Sequence, residues 1–142
     1  MPIGGFASSS DIFKVFKSDP PLNHVTTFGG HPVSCAAGNA ALLALFEKKY
    51  IDNASIIESQ IKEHLQMSGI IEIRGKGAML GMQLQNIDLT EKVVMHCFKE
   101  GLILGWTLHS NTLVRLAPPL TIPENVLFNA INVIKSAIKL YT

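Results

Sequence analysis

The residues best suited to bind an anion lie just before a predicted helix, in the segment His24-Val25-Thr26-Thr27-Phe28-Gly29-Gly30-His31-Pro32. A threonine hydroxyl, two glycines whose backbone amides are accessible and the positive end of a helix form a setting in which proteins bind phosphate. Capped helix starts are also common, and most of them bind nothing. The segment therefore predicts either an anion site or an ordinary helix start.

A second segment places one guanidinium in an apolar stretch, Leu113-Val114-Arg115-Leu116-Ala117-Pro118-Pro119-Leu120. A charge in such a stretch needs a partner. Arginine there either pairs with a structural carboxylate or presents its planar fork to a substrate carboxylate, which it binds bidentately. The residues alone leave both interpretations of Arg115 open.

Other familiar chemistry is absent from the sequence. There is no Cys-x-x-Cys, His-Glu-x-x-His or Gly-x-Ser-x-Gly motif. The five histidines are scattered along the chain, and we expect no metal site. Gly75-Lys76-Gly77 is too short for a phosphate-binding loop and is typical of a turn. Cys35 and Cys97 stand in apolar, helix-like contexts, which predicts buried free thiols.

These segments must be positioned by a small set of elements. Pro32 has the chemistry of a first helical residue, and the helix that continues to Phe46 begins with small side chains. We expect this helix to be packed tightly on most sides and hypothesise a subunit contact there. A second helix, capped by Asp52 or Asn53, is expected to bury a stripe at helical spacing, formed by Ala54, Ile57, Ile61 and Leu65.

The remainder alternates between strands and helices. Two apolar runs on either side of Gly75-Lys76-Gly77 predict an antiparallel hairpin. A helix starting at Asp88 or Thr90 is expected to end at Gly101, followed by strands at 102–104 and 112–116. A last helix from Pro123-Glu124 would bury Leu127, Ile131, Ile134 and Ile138. The pattern predicts an α+β fold, in which helices cover a small sheet.

Composition narrows the function classes. The 142 residues are 47% hydrophobic and 16% charged, with a formal charge of +1, so nothing favours a nucleic-acid partner or an anionic membrane. The longest apolar stretch is far shorter than the ~20 residues that span a bilayer. Pro2-Ile3-Gly4-Gly5 has neither the basic nor the apolar region of a secretory signal. We therefore expect a cytoplasmic protein of one compact domain.

Several motifs together resemble one family. His24-x-x-Thr27-Phe28-Gly29-Gly30-x-Pro32, followed by Cys35-Ala36-Ala37, resembles the class III aminotransferases, the group of the ornithine, acetylornithine and 4-aminobutyrate transaminases. Further similar motifs occur in the family's order: Pro2-Ile3-Gly4-Gly5-Phe6, then Arg74-Gly75-Lys76-Gly77 before Gly81, then Arg115-Leu116-Ala117-Pro118-Pro119-Leu120. The resemblance extends over essentially the whole chain.

The resemblance implies a cofactor, pyridoxal phosphate, and roles for three residues. Thr27 and Phe28 would bind the cofactor, with Thr27 contacting its phosphate in the neighbouring subunit's active site of a homodimer. Arg115 would bind a carboxylate of the amino-acid or 2-oxo-acid substrate, and Arg74 would be structural. By the same resemblance, residues 1–31 end the large cofactor domain of a fold-type I enzyme. Residues 32–142 would form a linking helix and the small carboxy-terminal domain.

The family's lysine that binds the cofactor aldehyde would fall before Met1, and no lysine of the chain aligns with it. We therefore expect no catalytic residue here and a carboxy-terminal fragment that is inactive alone, because transamination needs that amine. The alternative is a non-catalytic dimerisation or binding module derived from the same family.

Overall fold

The computed structural model describes residues 1–17, 24–106 and 110–142, in two compact units, Met1–Lys48 and Lys49–Thr142. The first unit contains helix α1 (Ser10–Phe13), a 3-10 turn (Lys14–Phe16) and helix α2 (Pro32–Glu47). The second contains α3 (Tyr50–His64), β1 (Ile70–Lys76), β2 (Met79–Leu84), α4 (Ile87–Lys99), β3 (Gly105–Trp106), β4 (Leu113–Leu116) and α5 (Glu124–Tyr141). Within the described ranges, no helix has the length and apolarity required to cross a bilayer.

The first unit is held together by aromatic rings and by the approach of Ile3 to α2. The rings of Phe6, Phe13, Phe16 and His24 contact one another with centroids 5.4 to 6.4 Å apart. A Cβ added at Gly38 would lie 3.2 Å from Cγ2 of Ile3, so the glycine allows this close approach.

Helix α2 begins at Pro32 as predicted, but its packing differs from the prediction. No residue of α2 is buried, and Leu42 and Phe46 are more than half exposed. Cys35 is exposed as well, whereas Cys97 in α4 is buried as expected. The expectations of a tightly packed α2 and of a buried Cys35 are therefore wrong, and both assumed that other parts of the chain cover this helix.

The second unit is built on a four-stranded antiparallel sheet in the order β1-β2-β4-β3. Successive side chains of a strand point to opposite faces, and the buried residues of β2 and β4 follow that period. Leu80, Met82 and Leu84 alternate with more exposed neighbours in β2, as Val114 and Leu116 do in β4. Helices α3, α4 and α5 complete one hydrophobic core with this face. The predicted α+β fold with a helix-covered sheet is confirmed.

The predicted hairpin is also confirmed, with Gly77 and Ala78 connecting β1 to β2. Gly75 has φ of 130°, a conformation that side chains with a Cβ rarely adopt. A Cβ on Gly75 would lie 2.3 Å from the carbonyl oxygen of Met79. Glycine is therefore required at this position for the two strands to meet.

Helix α4 begins before the predicted residues, and the way in which it ends shows why the strand predicted after it was misplaced. Asn86 caps the helix, since its side chain accepts a hydrogen bond from the Leu89 amide at 2.9 Å. At the other end Gly101 has φ of 81°, as predicted, and the Leu102 amide donates to the Cys97 carbonyl at 2.8 Å. This bond belongs to the helix end. The strand predicted at 102–104 is therefore wrong, and β3 begins at Gly105.

Helix α3 begins at Tyr50, earlier than the predicted caps. The Asn53 side chain instead donates a hydrogen bond to the Leu120 carbonyl at 2.5 Å, so it links α3 to the segment after β4. The last helix follows the prediction, with Pro123 as its N-cap and all four expected residues buried.

One carboxylate connects α3 to the hairpin. Glu58 accepts a hydrogen bond from Lys62 Nζ at 2.6 Å and another from the Gly77 amide at 2.6 Å. The bond from Lys62, and then the bond from Gly77, hold the pKa of Glu58 below its ordinary value of 4.5. A carboxyl group whose pKa is lower in the folded state stabilises that state when it is ionised.

We expect the Glu58→Gln variant to be less stable than the original chain at pH 7 and to approach it as the pH falls. The stabilisation by Glu58 is present above the pKa of the unfolded chain and is lost as the pH falls through the lower pKa of the folded state. Urea unfolding of both proteins between pH 7 and pH 3 measures this difference. Glu63→Gln, which removes an exposed carboxylate of the same helix, is the matched control. A stability difference that is independent of pH would contradict the assignment.

Candidate functional site

Thr27 lies in a tight turn that ends at α2. The Gly29 amide donates to the Thr26 carbonyl and the His31 amide to the Phe28 carbonyl, both at 3.2 Å. Gly30 has φ of 70°, which glycine adopts without strain. The turn's own hydrogen bonds therefore use only two of its amides, and the side chain of Thr27 is exposed.

The turn borders an open cavity of about 830 Å³ within the first unit. Thr27, Phe28 and both glycines line it, together with Met1–Gly4, Ser34 and Cys35. Phe28 is 78% exposed, and its ring centroid lies 6.3 Å from that of His31. A Cβ on Gly29 would lie 2.5 Å from Oγ1 of Thr26, so a larger residue would disturb the turn.

The start of α2 adds free donors to this cavity. Pro32 is the first helical residue and has no amide hydrogen, and the Cys35 amide makes the first helical bond, to the His31 carbonyl. The amides of Val33 and Ser34 therefore remain available at the positive end of a 16-residue helix. His31 also lines the cavity, and its buried Nδ1 has no hydrogen-bond partner among the described residues. A hydroxyl, free amides and a helix end suit a phosphate group.

Arg115 lies in β4, where the alternation of the strand turns it away from the core. Its neighbours Val114 and Leu116 are buried, whereas Arg115 is exposed. Among the described residues, no carboxylate lies within ion-pair distance of its guanidinium. The first alternative left open by the sequence, a structural carboxylate partner, is therefore not found in the described part of the chain.

The strands on both sides of Arg115 present glycine to it. Arg115 pairs with Gly81 of β2 and with Gly105 of β3. A Cβ on Gly105 would lie 3.0 Å from Nε and 3.3 Å from Nη2 of Arg115. The absence of a side chain at position 105 therefore lets the guanidinium lie against the edge of the sheet.

An apolar cavity of about 410 Å³ adjoins Arg115 in the second unit. Its walls are formed by α3, α5 and the segments on either side of β3 and β4. Of the described residues that line it, Arg115 alone carries a charge. A single guanidinium at an apolar wall is suited to a small carboxylate whose remaining atoms are apolar.

The structure thus locates the three predicted site residues in two separate settings. Thr27 and Phe28 border the cavity of the first unit, and Arg115 borders that of the second. Sequence reasoning missed His31 and Gly105 as parts of these settings. Only the position of His31, directly before Pro32, could have indicated a role, whereas Gly105 is recognisable only from the strand pairing.

The sequence of the chain matches the family model described as Aminotransferase class-III over residues 1–138. The chain belongs to the class III aminotransferases. It is 36% identical over 143 residues to an ornithine aminotransferase of Bacillus cereus, covering 96% of this chain and 34% of that protein. It is 33% identical over 138 residues to an acetylornithine aminotransferase of Corynebacterium efficiens, covering 97% of this chain and 33% of that protein.

Solved structures of aminotransferases share the fold. A Bacillus anthracis aminotransferase matches with a TM-score of 0.77 and 28% identity, over 92% of this chain and 34% of that chain. The ornithine aminotransferase of Toxoplasma gondii, which has partial occupancy of PLP at its active site, matches with a TM-score of 0.76 and 29% identity, over 92% and 32% respectively. The chain spans about a third of the length of the relatives that it matches.

In this class III aminotransferase chain, we expect Gly105→Ala to displace the guanidinium of Arg115. The new methyl group would lie 3.0 Å from Nε, and the flexible arginine must move to relieve the contact. Arg74 and Arg115 are the two arginines of the chain, so the Nε resonances in a nitrogen-15 NMR spectrum report them individually. The Arg115 resonance is expected to shift and the Arg74 resonance to stay in place.

Gly5→Ala is the control, because an added Cβ there meets nothing within 4 Å. An unchanged Arg115 resonance in Gly105→Ala would show that the guanidinium does not lie against β3.

Proposed function

We propose that the chain supplies the carboxy-terminal part of a pyridoxal-phosphate-dependent aminotransferase, which transfers an amino group between an amino donor and a 2-oxo acid. The observation that carries the proposal is Arg115 at an apolar cavity, with no carboxylate partner in the described part of the chain, which matches the family model over residues 1–138. The proposal includes a cytoplasmic homodimer, with residues 1–31 ending the cofactor domain and residues 32–142 forming the linking helix and small domain.

Thr27 has the proposed role of holding the cofactor phosphate. Its exposed hydroxyl, the unused amides of the turn and the free amides at the start of α2 are all donors, which is what a phosphate dianion requires. Phe28 would contact the cofactor from the same turn, since most of its ring is exposed. When bound, pyridoxal phosphate supplies the aldehyde and the electron-withdrawing ring that carry the amino group.

Arg115 has the proposed role of orienting the substrate through a carboxylate. Guanidinium and carboxylate form two parallel hydrogen bonds, which fix direction as well as position. The cavity that adjoins Arg115 is lined by apolar residues, and exclusion of water from one side of such a pair would strengthen it. A substrate held in this way presents its reacting carbon at a fixed distance from the anchor.

We propose that these 142 residues alone do not catalyse transamination. Moving the proton between substrate and cofactor requires an amine at the reacting atoms. Among the described residues that line the two cavities there is no lysine. Lys62 and Lys92 instead pair with carboxylates on their own helices, and Lys14 pairs with Asp11 of the preceding helix α1.

In the presence of pyridoxal phosphate, we expect the chain alone neither to turn over an amino donor nor to form the borohydride-trappable adduct that turnover requires. A chimera in which it replaces the matching third of the Bacillus cereus ornithine aminotransferase is expected to transaminate. In that chimera Arg115→Gln is expected to raise the KM for the 2-oxo acid by at least about tenfold, the effect of losing a charge-assisted pair.

Thr27→Ala is expected to raise the cofactor concentration needed for half-maximal activity by about tenfold, and Thr27→Ser, which keeps the hydroxyl, to restore it. Turnover by the isolated chain would refute its inactivity. An active chimera whose kinetic constants are insensitive to both Arg115→Gln and Thr27→Ala would refute the assigned roles.

A second candidate function, a non-catalytic dimerisation or binding module, is favoured by the exposure of α2. The helix has no buried residue and presents Val33, Leu42, Leu43 and Phe46, each more than half exposed. Exposed apolar surface of this kind is typical of an interaction site.

We therefore expect the isolated chain to self-associate, with Leu42→Glu, which places a charge on the exposed apolar surface of α2, shifting it towards monomer. Light scattering measures the mass, and Asn39→Glu on an exposed polar position of the same helix is the control. A monomer that binds no hydrophobic dye would contradict this function.

A further inference from the structure

Strand β1 forms one edge of the sheet in the second unit. In the order β1-β2-β4-β3 it has a single neighbour, so its other side is unpaired among the described strands. Two hydrogen bonds show which backbone groups lie on that side. The Leu84 amide of β2 donates to the Thr112 carbonyl before β4, and the Gln85 amide donates to the Gly69 carbonyl before β1. Because these groups alternate in direction along a strand, even-numbered residues of β2 face β4 and odd-numbered ones face β1.

The amide and carbonyl of Ile73 therefore point outwards from the sheet. Glu72 and Arg74 lie opposite Gln83 and Gly81, two odd-numbered residues of β2, so their own backbone groups face β2. Ile73 stands between them, and its backbone groups face the other way. An unpaired donor and acceptor at the edge of a sheet are the groups to which a further strand binds.

The charges around Ile73 are arranged symmetrically. Ile73 packs against the core, so Glu72 before it and Arg74 after it point to the opposite face, where both are about half exposed. If a second copy of β1 lies antiparallel with Ile73 opposite Ile73, Glu72 of each copy lies opposite Arg74 of the other. Opposite charges in these positions stabilise a strand pair. A register centred on Gly75 would instead place Arg74 opposite Lys76, and like charges destabilise it.

An open cavity of about 360 Å³ lies beside this edge. It is lined by Lys62 and Leu65, by Met67 in the loop after α3, and by Ile70–Ile73 of β1. Residues that lie opposite each other on neighbouring strands point to the same face. The Ile73 side chain of a second copy would therefore lie beside Ile73 of the first, on the side of the sheet where the cavity offers room and apolar surface.

We propose that β1 is an interaction surface for β1 of a second copy of this chain. The two strands run antiparallel, and the Ile73 amide of each copy donates to the Ile73 carbonyl of the other. Glu72 and Arg74 select this register, since a guanidinium has five donors and Arg74 can hold the carboxylates of both copies. The interface is separate from α2 and does not depend on the roles of Thr27 and Arg115. Half-exposed ion pairs contribute little binding strength, so the dimer is weak.

The test uses the 142-residue chain with Leu42→Glu, which weakens association through α2. Sedimentation equilibrium between about 0.01 and 1 mM is expected to show a monomer in exchange with a dimer. Glu72→Lys and Arg74→Glu each place like charges opposite one another, and each is expected to weaken the dimer by about tenfold. An equimolar mixture of these two variants restores opposite charges across the interface, and dimers are expected to return. The mixture does not restore the ion pair within either chain, so recovery reports contact between chains.

Lys76→Gln is the matched control, because Lys76 lies on the same strand face but opposite Ile70 of the second copy in this register. It is expected to leave the dimer unchanged. Hydrogen exchange at the Ile73 amide is expected to slow as the protein concentration rises, and not to do so in Glu72→Lys.

A chain that stays monomeric up to about 1 mM overturns the inference. So does a mixture that associates no better than either variant alone, a Lys76→Gln variant as weak as Glu72→Lys, or exchange at Ile73 that is independent of concentration. The effect of Leu42→Glu on the original chain tests the α2 surface separately, so either surface can fail without the other.

Discussion

The pairing of β2 with β4 is the constraint on which the second unit depends. Leu80 lies opposite Leu116 and Met82 opposite Val114, and all four side chains are buried. Because side chains alternate between faces, a slip of one residue would expose this set and turn Arg115 into the core. A guanidinium without a carboxylate partner is too costly to bury there. The hydrophobic pattern that stabilises the sheet therefore also fixes the arginine on its open face.

The two glycines next to Arg115 then determine how much space its guanidinium has. Positions 81 and 105, its cross-strand neighbours, carry no side chains, and a Cβ at 105 would contact the guanidinium directly. Glycine weakens a strand, since it contributes no packing and loses more entropy on folding. Two glycines around one arginine on a short strand are thus a loss in stability, and the missing side chain at position 105 leaves room for the guanidinium of Arg115 itself.

The sequence predicted the elements well where the signal was local. The hairpin followed from Gly75 and Gly77, and α5 from its apolar stripe. It misplaced β3, because a run of apolar residues cannot reveal that the Leu102 amide is used to end α4. It placed Arg115 on a strand, and the family resemblance suggested its role. The register that puts Gly81 next to Arg115 could not be predicted, since β4 joins β2 only after α4 and β3 have intervened in the chain.

Because the site residues of this chain are exposed, having the right donor groups does not by itself make the chain a catalyst. Thr27 and Arg115 are both exposed. The attraction between two charges in bulk water is about a quarter of what it is near a protein surface. Hydrogen-bond donors aimed at an anion become effective when the site is closed to water. The chain already supplies the direction of these groups, through a helix start for Thr27 and a fixed register for Arg115. For the proposed phosphate and carboxylate contacts, the surfaces that enclose these groups would therefore contribute most of the binding strength, and the described chain would fix their positions.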